Sequence, residues 1–369
     1  MKRVWKRMLA SIGLLAVLTG SLGLTSGARG VRGVISRVYD QAPHEFSYID
    51  NGVLKFGVDL TYGGTGCYLS LSGRDENLIN LYDDGRELQQ SVYGSPIYDE
   101  PSAQCFNPIQ GTKRVLAYYN DGTTIYTKMQ GGNWFYNSEP TDTIFESWFT
   151  LEGNHVIGRY LMTHAAEDRH DEGTVANGKP AVFSQELPAV YVTPHLWQIS
   201  YYKGRDPFTG GALSTLLKAP SQQDTPATEG WIAAVNQAGW GVGVYTPGVY
   251  SHTSILHGSK RSQVGSATSF DTTYISPRSF FNLSPRMRYY YESYLIVDDL
   301  ENIRTEVTQH HVYTNSTWQF NFDGDREGWS LAGSQDSQAP KDGVWSLTPT
   351  AEGTYFFSPP SAIQVDDKP

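Results

Sequence analysis

Cysteine is scarce. The chain has two in 369 residues, Cys67 and Cys105, which excludes a disulfide-dense scaffold. Positive charge is also in short supply. Lys and Arg number 28 against 38 Asp and Glu, a formal net charge of −10. That balance excludes a nucleic-acid binder held by a basic surface. Charged residues make up 18 % of the chain, below the roughly 25 % of soluble domains. No long amphipathic helix is expected, and Ala212–Lys218 offers about two turns at most. There is no Gly-x-Ser-x-Gly elbow and no phosphate loop. The glycines of Gly239-Trp240-Gly241-Val242-Gly243 sit in a β setting with no helix after them, so a dinucleotide fold is rejected. Nine histidines are present, among them His164, His170 and the adjacent His310-His311, without zinc-ligand spacing. What the chain has in quantity is aromatic and glycine residues: 24 Tyr, 9 Trp and 37 Gly. Such a chain has apolar surface enough for a core, and disorder is excluded over most of its length.

Residues 1–28 read as a secretory leader. Lys2, Arg3, Lys6 and Arg7 form a positive start, Met8 to Leu24 is apolar or small, and Ser26-Gly27-Ala28 fits a small-x-Ala cleavage pattern. A membrane anchor is the alternative, because the stretch approaches the about 20 residues that span a bilayer. Cleavage predicts a mature chain from Arg29, secreted or periplasmic, with no membrane partner. Export permits a Cys67–Cys105 disulfide; two buried thiols are the alternative.

The periodicity is that of strands. Val53–Leu60, Cys67–Ser72, Ala189–Val192, Trp197–Tyr202, Trp231–Val235, Trp240–Tyr245 and Met287–Val297 are extended apolar or alternating runs. Arg114–Tyr119 and Thr124–Met129 flank Asn120-Asp121-Gly122. Phe145–Leu151 and His155–Tyr160 flank Glu152-Gly153-Asn154. Both are hairpin signals. Runs separated by Gly, Asn, Asp or Pro predict an all-β fold, a large antiparallel β-sandwich. Two polar stretches, Glu167–Lys179 and Ser259–Ser269, read as mobile or functional loops.

Composition changes near Asn315. Residues 29–316 are expected to form the main body and 317–369 a second segment. That segment opens Trp318-Gln319-Phe320-Asn321-Phe322-Asp323-Gly324-Asp325-Arg326-Glu327-Gly328-Trp329, which resembles the start of a jelly-roll carbohydrate-binding module. It is too short for a whole jelly roll and is expected to be incomplete. No cofactor is expected. Asp323, Asp325 and Glu327 offer oxygens of the kind that hold structural Ca²⁺ in such modules, and a plain turn explains them as well.

The densest polar and aromatic cluster is Asn77–Gly94. Asp83-Asp84-Gly85-Arg86 reads as a turn, with Glu87–Tyr93 the strand after it. Alternation places Arg86 and Gln90 on one face, where a guanidinium and an amide suit sugar hydroxyls or a carboxylate. Alternatively, Arg86 pairs with Asp83 or Asp84 and ties the turn. Asn107 and Gln110, in Asn107-Pro108-Ile109-Gln110-Gly111, offer amides on a loop. Glu186, in Ser184-Gln185-Glu186-Leu187-Pro188, is a carboxylate at a loop–strand junction beside apolar residues, a setting that raises the pKa of a general acid or base. Glu292, within Tyr289–Tyr294, needs a partner if it faces inward. Glu146 is similar and more simply solvent-facing. The aromatic load suits stacking on sugar rings as well as a core role.

Glu76–Gly94, the 107–111 loop, Ser184–Pro188 and Tyr289–Val297 together resemble the galactose-mutarotase-like supersandwich domains of secreted carbohydrate-active proteins, over residues 45–314. The resemblance implies the sandwich architecture and a poly- or oligosaccharide partner, and leaves the reaction open. The leading expectation is glycoside hydrolysis by paired carboxylates about 5–10 Å apart, with Glu186 as acid/base and Asp83, Asp84 or Glu292 as the second. Arg86, Gln90, Tyr93, Asn107 and Gln110 would contact sugar. One alternative is a polysaccharide lyase, in which Arg86 and an amide neutralise a uronate and Tyr93 takes the C5 proton. Another is a non-catalytic glycan-binding protein.

Overall fold

The computed structural model describes residues 44–82, 85–93, 101–102, 115–133, 140–165, 183–258, 267–281, 283, 286–314, 330–332 and 355–357. The architecture is all-β and antiparallel. In chain order the strands are β1 (Phe46–Asp50), β2 (Leu54–Asp59), β3 (Thr65–Leu71), β4 (Leu88–Ser91), β5 (Pro101–Ser102), β6 (Val115–Asn120), β7 (Thr124–Asn133), β8 (Pro140–Glu152), β9 (His155–His164) and β10 (Ser184–Val192). There follow β11 (Gln198–Tyr201), β12 (Ser214–Leu216), β13 (Gln223–Pro226), β14 (Trp231–Val235), β15 (Trp240–Tyr245), β16 (Ser251–His257), β17 (Thr272–Phe280) and β18 (Arg288–Asp299). A helix, α1 (Leu300–Thr314), comes next, then the short pair β19 (Ser330–Ala332) and β20 (Tyr355–Phe357).

Strands β1 to β3 make a small sheet. A 15-stranded sheet runs β12-β11-β14-β15-β18-β9-β8-β7-β5-β4-β10-β17-β16-β13, with β6 added on β7. So long a sheet folds over on itself, and its ends face each other, with β14 and β15 lying against β17. One core fills the space between. It is built from Phe56 and Leu69 of the small sheet, Leu88, Val190 and Ile275 of one layer, and Phe149, Ile232, Val244 and Leu295 of the other. This is the predicted sandwich.

Both hairpins form as their turns demand. Asn120 pairs with Ile125, the Asp121 carboxylate accepts from the backbone N–H of Thr123 and Thr124, and Gly122 takes φ +90°. Glu152 pairs with His155 around Gly153 at φ +54°. Both glycines occupy the left-handed region, where a side chain is strained.

Two expectations are corrected. Ala212–Lys218 holds no helix; it contributes β12, paired with β11. A long helix does exist, α1. Leu300, Ile303 and Val307 recur at helical spacing, and Ile303 and Val307 are fully buried. The Asp298 carboxylate at its start accepts from Asn302 Nδ2 at 2.9 Å. The mostly polar residues between those three positions hid the period.

The chain divides into two compact units, residues 1–303 and 304–369. In the second, the antiparallel β19–β20 pair is described. Residues 1–28, the 167–179 loop, Cys105, Asp323, Asp325 and Glu327 lie outside the described residues. Cys67 is buried, and its Sγ donates to the Gly57 carbonyl at 3.6 Å. No helix among the described residues is long and apolar enough to cross a membrane.

Candidate functional site

Strands β4, β10 and β17 lie side by side, and their register sorts every side chain to one of two faces. Val190 pairs with Ile275 and with Leu88, and all three belong to the core. The residues pointing the other way are polar. Glu186 pairs with Arg278 on one side and Ser91 on the other. Tyr191 pairs with Tyr274. The register slips between Glu186 and Val190, a bulge of the kind that re-aims a side chain. It keeps Glu186 on the same polar face as Tyr191 although the two stand five positions apart, an odd number.

Glu186 is the centre of this face. Tyr93 donates its hydroxyl to Glu186 Oε2 at 2.9 Å, and Ser91 Oγ lies 3.2 Å from the same hydroxyl. Gln185, fully buried, holds Tyr93 in place. Its Oε1 accepts from the Tyr93 backbone N–H, and its Nε2 donates to the Tyr93 and Phe281 carbonyls at 2.7 Å each. Burial pushes the Glu186 carboxyl above the ordinary carboxylate range; Tyr274, Tyr93, Arg86 and Arg278 pull it back without cancelling the shift. Arg86 donates to the Tyr191 hydroxyl at 3.2 Å with its guanidinium 5.6 Å from that ring's centre. The Tyr191 and Tyr274 rings pack 4.5 Å apart. Arg278 bonds Asp224 at 2.8 Å and Ser251 at 3.2 Å.

The structure thus brings Glu186, Arg86 and Tyr93 together. It sets Gln90 apart. Gln90 shares the core-side face with Leu88 and donates to the Glu146 carbonyl and Ser147 Oγ. Arg86 precedes the strand, so the alternation that paired it with Gln90 does not reach it. Glu292 lies on β18, six strands from β10 along the sheet. There it pairs with Arg159 Nε at 2.9 Å and accepts from Tyr290 and Tyr294 at 2.8 and 2.9 Å. Burial acts to raise its pKa, but those two hydroxyls and the Arg159 charge outweigh it and hold the carboxyl below its ordinary value. Glu146 accepts from Tyr126 and pairs with Lys128 at 3.3 Å. Asp83, Asp84, Asn107 and Gln110 lie outside the described residues. The residues the sequence did not point to are Gln185, Tyr191, Tyr274 and Arg278. The last two belong to β17, whose Thr-Thr-Tyr-Ile-Ser-Pro-Arg-Ser run lacks apolar alternation.

No family model matches the chain, and no curated protein matches it. Solved structures resemble it in fold. A galactose mutarotase related enzyme from Lactobacillus acidophilus is 8 % identical, with TM-score 0.45 over 69 % of this chain and 97 % of that one. A galactose mutarotase-like protein from Lactobacillus casei is 9 % identical, with TM-score 0.45 over 69 % and 100 %. A 4-alpha-glucanotransferase from Thermococcus litoralis is 12 % identical, with TM-score 0.41 over 71 % of this chain and 38 % of that one.

Proposed function

We propose that this is an exported carbohydrate-active enzyme whose proton-transfer group is Glu186. The observation that carries the reading is the Glu186–Tyr93 hydrogen bond at 2.9 Å, set on the polar face with Arg86 and Arg278 acting on the same carboxyl. A carboxyl raised by burial is able to take and return protons nearer neutral pH. Tyrosine rings beside it offer both stacking surface and hydroxyls to a sugar. Two of the segments that carry the supersandwich resemblance, Glu76–Gly94 and Ser184–Pro188, meet at this face through β4 and β10. Residues 1–28 would direct the chain to the secreted or periplasmic space.

The test is a screen of plant, algal and microbial polysaccharides for release of reducing ends. Glu186→Gln should abolish release, by about 10²-fold or more, and Glu292→Gln should leave it within about twofold, as suits an outer-face ion pair. Glycan binding without release, unchanged by Glu186→Gln, would retire the catalytic reading in favour of a binding protein.

A further inference from the structure

Another part of the long sheet carries aromatic residues that the Glu186 reading leaves unused. On β7, β8 and β9, Ile125, Phe149 and Tyr160 enter the core, so the residues next to them in sequence point outward. Register lines up four outward side chains across four adjacent strands. Tyr119 of β6 pairs with Tyr126 of β7, Tyr126 with Trp148 of β8, and Trp148 with Arg159 of β9. The row spans about 14 Å, the length of a few sugar units.

The rings touch one another. Tyr119 stacks on Tyr126 with centres 5.2 Å apart, and Tyr126 packs on Trp148 at 5.0 Å. The open face of an antiparallel sheet is ordinarily polar; here three neighbouring positions are aromatic. Tyr126 and Trp148 are half-buried. Tyr119, on a strand that pairs with β7 alone among the described residues, is 44 % exposed. Arg159 closes the other end, its side chain 43 % exposed and tied through Nε to Glu292 at 2.9 Å. Aromatic surface ending in a fixed guanidinium suits the C–H faces and the hydroxyls of a sugar chain.

Charge narrows the class. Along this face Lys128 pairs with Glu146 at 3.3 Å and Arg159 with Glu292 at 2.9 Å, so these charges cancel. The chain as a whole has net charge −10. A face with no surplus positive charge on an acidic chain suits an uncharged polymer and not a polyanion.

We propose that this outer face is a second carbohydrate site, on which an uncharged polysaccharide lies along Tyr119, Tyr126, Trp148 and Arg159. It holds the polymer and performs no chemistry. It goes beyond the Glu186 reading, since β8 lies four strands from β10 along the sheet.

The experiment is electrophoresis of the full chain through gels containing xylan, galactan, β-glucan or polygalacturonate, with retardation converted to affinity. Every variant is made in Glu186→Gln, so that no polymer is cleaved. At least one neutral polymer should retard the chain. Trp148→Ala should weaken that binding about tenfold or more, and Tyr119→Ala and Arg159→Gln by a smaller factor. If Trp148→Ala does not fold, Tyr119→Ala, at an exposed edge position, still decides. Cross-strand aromatic pairs also stabilise sheets; variants that lose stability and keep full binding would show that role alone and overturn the proposal. So would retardation by polygalacturonate only, or a dimer in sedimentation that Trp148→Ala splits, which would make the face a contact between copies. None of these outcomes touches Glu186. Loss of reducing-end release in Glu186→Gln upholds that reading whether or not the second site exists.

Discussion

Glu186 and Glu292 are both glutamates in β-strands that bury apolar residues, and their surroundings separate them. Glu292 has three donors and a carboxyl held down. Glu186 has one hydrogen-bonded tyrosine and a carboxyl held up by burial. Sequence context marked both, because each is a charge among apolar neighbours. Only the partners tell them apart: Arg159 of β9 with Tyr290 and Tyr294 of β18 itself in one case, and Tyr93 just beyond β4 with Arg278 of β17 in the other. A third buried titratable group belongs to the same layer. His252 is fully buried, and neither ring nitrogen meets hydrogen-bond geometry. Burial first, then the Arg278 charge, drives its pKa down to about 3 against a weaker opposing effect of the Gly230 backbone. Because the folded value lies below the unfolded one of about 6.5, neutral His252 supports the fold above that pH. The support is lost as pH falls from there towards 3. His252→Phe should therefore flatten the acid side of the stability curve by about 5 kcal/mol at most, read from denaturant unfolding at stepped pH. Parallel curves for the two proteins would show that His252 is not the titrating group.

At the scale of the element, legibility followed burial. Trp231–Val235 and Trp240–Tyr245 were visible to the residue because hydrophobic runs bury both faces. The hairpins at Gly122 and Gly153 were visible because their turns need those residues. Strands β16 and β17 were not. Their buried positions carry His252, Thr253, Ser254, Thr273 and Ser276, which read as surface until their partners are known. Thr225 and Ser254 satisfy one another at 2.7 Å, and Ser276 donates to the Pro188 carbonyl. The β14–β15 hairpin has its own constraint. A Cβ at Gly241 would run into the carbonyl oxygen of Ala234, and one at Gly243 would meet Ile303 Cγ2 at 2.5 Å. Backbone cannot give way as a side-chain tip can. Gly241→Ala is expected to cost about 1–3 kcal/mol, and more than Gly243→Ala, where the Ile303 side chain has room to turn. Chemical denaturation of both variants checks the order; the reverse order would mean that the hairpin backbone, and not the helix contact, is the softer part.

For the molecule as a whole, the acidic balance acts at long range. A chain of net −10 repels a polyanion at distance. Added salt shortens the range of that repulsion to about 8 Å at physiological ionic strength. Encounter with an acidic polymer should therefore speed up with salt, while encounter with a neutral one should not change. Stopped-flow mixing with Glu186→Gln reads the association rate. A rate for the acidic polymer that falls with salt would mean that the field it meets is positive.

The division between what local chemistry determined and what the fold decided follows from this. Alternation, turn residues and the absence of long helical periods determined the all-β class, both hairpins and most strands, because those signals act over a few residues. The segments around Arg86, Tyr93 and Glu186 stood out for the same reason. Tertiary structure decided which faces met. It folded the long sheet so that β14 and β15 lie against β17, turned Gln90 to the core side, and moved Glu292 to another part of the sheet. It also placed Arg278 and Tyr274, 92 and 88 positions beyond Glu186 in the chain, beside that carboxyl. Strand pairing at such separation is set by register across the whole sheet, and no local pattern of residues records it.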